Sequence, residues 1–162
     1  MIKSASFDFH KAHRYSLYRQ WDRTKRFMVM VGLNPSVADA QTDDQTIRRG
    51  MHFARREDCG GLYMVNLHTV IATDPKDLWL YLGGHGEQIA RWLSPRTHLG
   101  GAMNMGGLIV PAWGGFRGEP IVRQRFLELF GQKDLFCLGR TKSGAPRHPS
   151  RLPNAQKLER FN

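Results

Sequence analysis

Residues 26–44 read RFMVMVGLNPSVADAQTDD. An apolar run, Phe27 to Val31, stops at Gly32-Leu33-Asn34-Pro35-Ser36, and polar, acidic sequence comes next, before any helical pattern begins. A short, unalternating apolar run suits a strand buried on both faces, as in a parallel sheet. Three further runs have the same form: Leu62–Leu67, Leu108–Trp113 and Leu135–Leu138. Between them lie segments with helical spacing. Asp44–Glu57 places Ile47, Met51 and Ala54 on one stripe, with Arg48, Arg49, Arg55 and Arg56 away from it. TDDQ at Thr42–Gln45 has the form of a capping box opening that helix. Asp77–Leu82 and Glu87–Leu93 read as short helical pieces around Gly83-Gly84. Pro120–Phe130 sets Ile121, Val122, Phe126, Leu129 and Phe130 on one face. HRYSLYRQW, ahead of all these, alternates as a half-exposed strand on the sheet edge.

This order predicts a three-layer α/β/α fold: a four-stranded, mainly parallel sheet with an N-terminal edge strand and right-handed helical crossovers. A chain of 162 residues favours one domain, 1–162, ending in a basic loop or tail over 139–162. In such folds ligands bind beyond the carboxyl ends of the strands. Asn34, Asn66, Trp113-Gly114-Gly115 and Gly139 all fall at those ends and are expected to face one crevice.

Lys and Arg number 24 against 14 Asp and Glu, a net charge of +10. The excess is uneven. Residues 61–120 are balanced, whereas the tail from Gly139 carries Arg140, Lys142, Arg147, Arg151, Lys157 and Arg160 against Glu159 alone. Such a segment favours a polyanionic partner, nucleic acid first, over a merely solvated tail. No apolar run approaches the ~20 residues of a membrane helix, and MIKSASFDFHKAHRY has no apolar signal core. A cytoplasmic protein without a membrane partner is expected, a monomer by preference. Cys59 and Cys137 have no metal-like spacing and read as buried, reduced thiols. No cofactor and no metal are expected.

Each strand tip has a structural and a chemical reading. Gly32 admits a close backbone approach and Pro35 fixes the turn. Asn34 then offers a donor and an acceptor to a water or a base edge, or merely closes an Asx turn. Asp43 and Asp44 suit a helix start, where the dipole favours negative charge. Asp39 lacks that reason, and a metal site built from the three carboxylates has nothing to fix its geometry. Asn66 could read a heterocycle through donor and acceptor together, or cap its strand. AWGGFRG at Ala112–Gly118 is neither a Walker loop nor Gly-x-Gly-x-x-Gly, and reads as a tight strand exit. His148-Pro149-Ser150 could bind a phosphate, stabilise an anion or move a proton, and Arg151-Leu152 could wedge into a duplex. The other reading is a proline-stiffened basic tail. A serine hydrolase is disfavoured by the absence of Gly-x-Ser-x-Gly.

GLNPS (Gly32–Ser36), VNLHTVIATDP (Val65–Pro75), AWG (Ala112–Gly114) and CLGRTKSGAPRHPS (Cys137–Ser150), in that order, resemble the bacterial and phage family known as domain-of-unknown-function family 1643. The likeness spans roughly Arg14 to Pro153 and carries no activity with it. The tip order is more distantly similar to the uracil-DNA glycosylase superfamily, in which an Asn-Pro motif follows the first parallel strand, an Asn contacts uracil, and a closing His-Pro-Ser grips DNA. That resemblance implies a four-stranded parallel sheet between helices and a DNA glycosylase-like hydrolase of the N-glycosidic bond of uracil or a modified base. It implies Asn34 and His148 as catalytic residues, and Asn66, Gly32, Leu33 and a stacking Phe53 as base-binding. Ser150, Arg147, Arg151, Lys142 and Arg140 would bind DNA phosphates, Leu152 would be the wedge, and Ser36, Asp39, Asp43 and Asp44 are secondary candidates. Some members carry Asp or Glu where this chain has Asn34; the mismatch-specific branch also has Asn. The alternatives are a non-catalytic DNA or modified-base binder and a phage nucleotide- or base-modification enzyme.

Overall fold

The structure, a computed structural model, describes residues 1–162, the side chain of Pro75 excepted. Strands β1 (Ile2–Phe7), β2 (Arg14–Gln20) and β3 (Phe27–Gly32) precede helix α1 (Gln45–Arg56) and strand β4 (Gly61–Asn66). Helices α2 (Pro75–Leu82), α3 (Gly86–Trp92) and α4 (His98–Met103) lead to β5 (Leu108–Pro111) and α5 (Glu119–Phe130). The two-residue strands β6 (Phe136–Cys137) and β7 (Glu159–Arg160) pair with each other.

The main sheet has five strands in the order β1-β2-β4-β3-β5. It is mixed. β3 lies parallel to β4 and to β5, while β2 is antiparallel to both β1 and β4. This corrects the expected four-stranded, mainly parallel sheet in two places. Arg14–Gln20 is an interior strand, because IKSASF pairs along it and forms the true edge. The run Leu135–Leu138 supplies no full fourth parallel strand: only a bridge joins Leu135 to Ile109. The physical reason lies at the C-terminus. Phe161 is buried edge-on to Trp113, and its backbone N–H donates to the Leu135 carbonyl at 2.8 Å, so β6 turns to meet β7.

Strand residues alternate between two apolar layers, as a pleat with period two requires. Met28, Met30, Leu62 and Met64 pack with Ile47, Met51, Phe53 and Ala54 of α1. Val29, Val31, Val65 and Ile109 pack on the other face with Leu78, Ile89, Leu99, Val122 and Phe126, which come from α2, α3, α4 and α5. The sheet is therefore covered on both sides.

Three local expectations change. Asp44, not Thr42, caps α1, its carboxylate accepting from Ile47 N–H at 2.9 Å. Thr42 belongs instead to an Asx turn before the helix, in which Asp39 Oδ1 accepts its N–H and that of Gln41. Ile121 lies on the solvent side of α5, where the buried positions are Glu119, Val122, Phe126 and Phe130. The basic segment over 139–162 is anchored rather than a free tail: a turn at Thr141–Ala145 returns the chain to Gly114, and the arginines of α1 hold the backbone at Pro149, Leu152 and Asn154. Cys59 and Cys137 are free and buried, and burial raises both thiol pKa values, that of Cys137 to about 11. Among the described residues no helix is long and apolar enough to cross a membrane.

Candidate functional site

The carboxyl ends of β3, β4 and β5 open into a cleft of about 870 Å³. Asn34, Asn66, Gly114, Gly115 and His148 all line it. Gly139 does not, since the chain has left the sheet before reaching that position.

Asn66 forms the floor. It is 1% exposed, and neither its Nδ2 nor its Oδ1 has a hydrogen-bond partner among the described residues. A buried amide without partners costs on the order of 1–3 kcal/mol, so one that persists at a cleft calls for an explanation. Its backbone is held: the Asn66 carbonyl is hydrogen-bonded by His98 Nε2 of α4 at 2.9 Å. Burial lowers the His98 pKa, against that hydrogen bond. Asn66 is also the register partner of Gly32, and a Cβ at Gly32 would stand 2.6 Å from Asn66 Oδ1. The glycine at the end of β3 thus creates the space that the amide occupies.

Asn34 is partly committed to the loop. Its Nδ2 donates to the carbonyls of Ala72 at 2.8 Å and Pro35 at 3.0 Å, tying the β3 exit to the segment after β4. Oδ1 is the part of this amide left for the cleft.

The walls are aromatic and basic. Trp79, His85 and Phe116 form one stack, with Trp79 5.4 Å from Phe116 and 5.1 Å from His85 between ring centroids. Trp113 is fixed by its indole N–H, which donates to the buried Glu119 at 3.0 Å. Arg117 and Arg151 stand at the rim. Arg14 lies deeper, 2% exposed, its Nη1 donating to the Ala38 carbonyl at 2.6 Å.

His148 reaches the cleft because its arm is clamped at both ends. Gly114, at φ 76°, donates its N–H to the Pro146 carbonyl at 2.9 Å and lets the arm pass close by. Beyond it, Arg49 donates to the carbonyls of Leu152 at 2.6 Å and Pro149 at 3.4 Å, and Arg56 to that of Asn154 at 2.8 Å. His148 Nδ1 lies 2.9 Å from Ser150 Oγ and accepts from Ser150 N–H at 3.4 Å. An Nδ1 that accepts leaves the ring proton on Nε2, as a donor. Burial lowers the His148 pKa, opposed by the charge of Asp44. The imidazole is therefore neutral near pH 7.

Of the secondary candidates, Ser36 and Asp44 line the cleft, as do Gly32, Leu33, Ser150 and Arg151. Asp44 is the carboxylate of this wall, with Oδ1 used in the helix cap. Asp43 is instead paired with Arg19 at 2.7 Å and Lys3 at 3.4 Å, and Asp39 holds its own loop. No group of His, Cys, Asp and Glu among the described residues has the arrangement of a metal site.

Other expected site residues stand elsewhere. Phe53 is wholly buried in the α1 layer beneath Arg49 and Arg56 and does not line the cleft, so it is not a stacking platform there. Leu152 is buried against the α1 layer and is no free wedge. Arg140 pairs with Glu159 at 3.5 Å and donates to the carbonyls of Arg160 and Phe161. Lys142 and Arg147 are not among the residues that line the cleft. Arg14, Trp79, His85, Phe116 and Arg117 went unread in the sequence. Phe116 and Arg117 had a signal, directly after Gly114-Gly115; Arg14 had none.

Fold and cleft together define an α/β protein with an aromatic, basic cleft at the ends of its parallel strands. A family model described as a protein of unknown function, DUF1643, matches residues 14–150, and the chain belongs to that family. No curated protein and no solved structure shows a significant match to it.

Proposed function

We propose that this chain is a DNA-binding, base-directed enzyme that hydrolyses the N-glycosidic bond of uracil or a modified base. The observation that carries the proposal is the orphaned amide of Asn66: a donor and an acceptor side by side, buried at the foot of an aromatic cleft. A lactam or pyrimidine edge presents the complementary pair. A base extruded from DNA costs a few kcal/mol of stacking, and contact with Trp79 and Phe116 offsets part of that.

The neutral His148 donates from Nε2 to the oxygen of the departing base as negative charge develops there. Water adds at C1′, positioned by Asn34 Oδ1, with Asp44 as the nearby carboxylate that takes its proton. The base leaves with the bonding pair and is protonated in turn. Arg117, Ser150 and Arg151 lie where the flanking backbone passes.

A second reading is favoured by the ties of Asn34: an amide bound to Ala72 and Pro35 cannot act as a base and serves the loop. The protein then binds DNA or a modified base without cleaving it, or modifies a base by another reaction. The test is formation of alkali-labile abasic sites in DNA carrying uracil, a mismatch or a hypermodified base. Wild type is expected to form them. His148→Ala is expected to lose roughly 100-fold or more, and Asn34→Ala to lose activity, each with its fold intact by circular dichroism. Binding without base release supports the second reading.

A further inference from the structure

Two arginines of β2 are buried, Arg14 at 2% and Arg19 at 0% exposure, and their surroundings differ. Arg19 is complete. Its Nε donates to Asp43 Oδ1 at 2.7 Å, its Nη1 to Tyr18 O at 2.9 Å, and its Nη2 to Asp39 O at 2.7 Å. Arg14 has one side-chain hydrogen bond, to Ala38 O, and its buried Nε has no partner among the described residues. No carboxylate lies within ion-pair distance of it among the described residues. Asp44 and Asp39 act on it only from farther away, and burial brings its pKa down to about 10. A buried guanidinium without an anion is costly, and Arg19 shows how the same strand satisfies one.

Arg14 lines the cleft with Asn66. Three arginines, Arg14, Arg117 and Arg151, face this space against Asp44, so it favours negative charge. We infer that the cleft holds an anion subsite at Arg14 that takes the phosphate of a nucleotide whose base lies against Asn66. The planar fork of a guanidinium suits two phosphate oxygens at once. This inference rests on the base-binding reading above and adds a substrate class to it: a phosphorylated nucleotide rather than a nucleoside or free base. The phosphate can belong to a mononucleotide or to a flipped nucleotide within a DNA strand.

Calorimetric titration of the full chain with deoxyuridine, dUMP, inorganic phosphate and a short single-stranded oligonucleotide containing deoxyuridine tests it. Wild type is expected to bind dUMP about 10-fold or more tightly than deoxyuridine. Arg14→Gln and Arg14→Lys should erase most of that preference while leaving deoxyuridine binding unchanged. Tighter binding of dUMP than of the oligonucleotide assigns the subsite to a free nucleotide; the reverse assigns it to the DNA backbone. Equal binding of dUMP and deoxyuridine by wild type overturns the inference without any variant, and so does a phosphate preference that survives in Arg14→Gln. If deoxyuridine and dUMP both fail to bind but inorganic phosphate binds in an Arg14-dependent way, the anion subsite stands and the base-binding reading falls. If none of the four probes binds wild type, both fall.

Discussion

Gly32 and Asn66 are register partners on β3 and β4, and the missing side chain of the first is the space filled by the amide of the second. A methyl at Gly32 would stand 2.6 Å from Asn66 Oδ1 and 2.7 Å from Met64 Cε. Parallel pairing on both sides of β3 leaves that strand no freedom to shift. Gly32→Ala is expected to cost about 1–3 kcal/mol in urea unfolding through overpacking and to abolish ligand binding by turning Asn66 aside. Loss of binding with Asn66 unmoved in a crystal structure of the variant would count against this.

Asn66→Leu separates stability from function. Leu has the branching of Asn without its polar atoms, so the substitution removes an unpaired buried amide. The variant should unfold at higher urea than wild type, by about 1 kcal/mol or more, while losing base-directed binding. A less stable variant would mean that the amide is satisfied in the free protein.

His68 ties stability to acid. Burial, with repulsion from His13 and His98, brings its pKa from 6.5 down to about 4, while Nδ1 accepts from Val70 N–H at 3.2 Å. The folded state binds this proton less readily than the unfolded chain. The contribution is fully present above pH 6.5 and is lost as pH falls towards about 4, an amount on the order of 3 kcal/mol. The lowered pKa values of His98 and His148 act in the same direction. His68→Asn should flatten the fall in unfolding free energy between pH 6.5 and 4; an unchanged slope would assign the acid sensitivity to other groups.

The arginine face of α1 grips the arm that carries His148. Arg49→Ala removes donors to the carbonyls of Pro149 and Leu152, at an expected cost of about 1–3 kcal/mol. Trypsin should then cut at the exposed Arg151 faster than in wild type, and activity should fall because His148 loses its position. Unchanged cleavage would show that the arm is held by other contacts.

Salt dependence tells rim cations from structural ones. Arg117→Ala and Arg151→Ala should each lower the slope of log affinity for DNA against log salt by about 1. Arg140→Ala should leave the slope alone, because its guanidinium is bound to Glu159 and to two carbonyls.

The strands at Phe27, Leu62 and Leu108 and the convergence of Asn34, Asn66 and His148 were legible because apolar runs and strand ends are local features. The edge strand at Ile2–Phe7 was not, since its burial is only partial and its pairing depends on a separate stretch, Arg14–Gln20. Phe53 misled for a related reason: its spacing fitted a helix, but distance along the chain did not reveal that only the start of α1, at Asp44, Thr46 and Ile47, reaches the cleft, while Phe53 is buried farther along the helix. The arginines of α1 could be read only as lying off the apolar stripe, because the acceptors of Arg49 and Arg56, the carbonyls of Pro149, Leu152 and Asn154, lie about 100 positions on. Arg14 carried no sequence mark, because a buried arginine is recognised only by its surroundings.

The most direct measurement is the side-chain amide resonance of Asn66, monitored by ¹⁵N NMR as an oligonucleotide with a single deoxyuridine or a hypermodified pyrimidine is added. In the free protein the Asn66 NH₂ signals should match an amide without acceptors. On addition they should move downfield together with the Gly32 backbone signal and become protected from exchange, and Asn66→Leu should abolish saturable binding. Shifts confined to Arg117, Arg151 and the arm, with the Asn66 amide unchanged at saturation, would contradict the assignment of this cleft as a base-binding site.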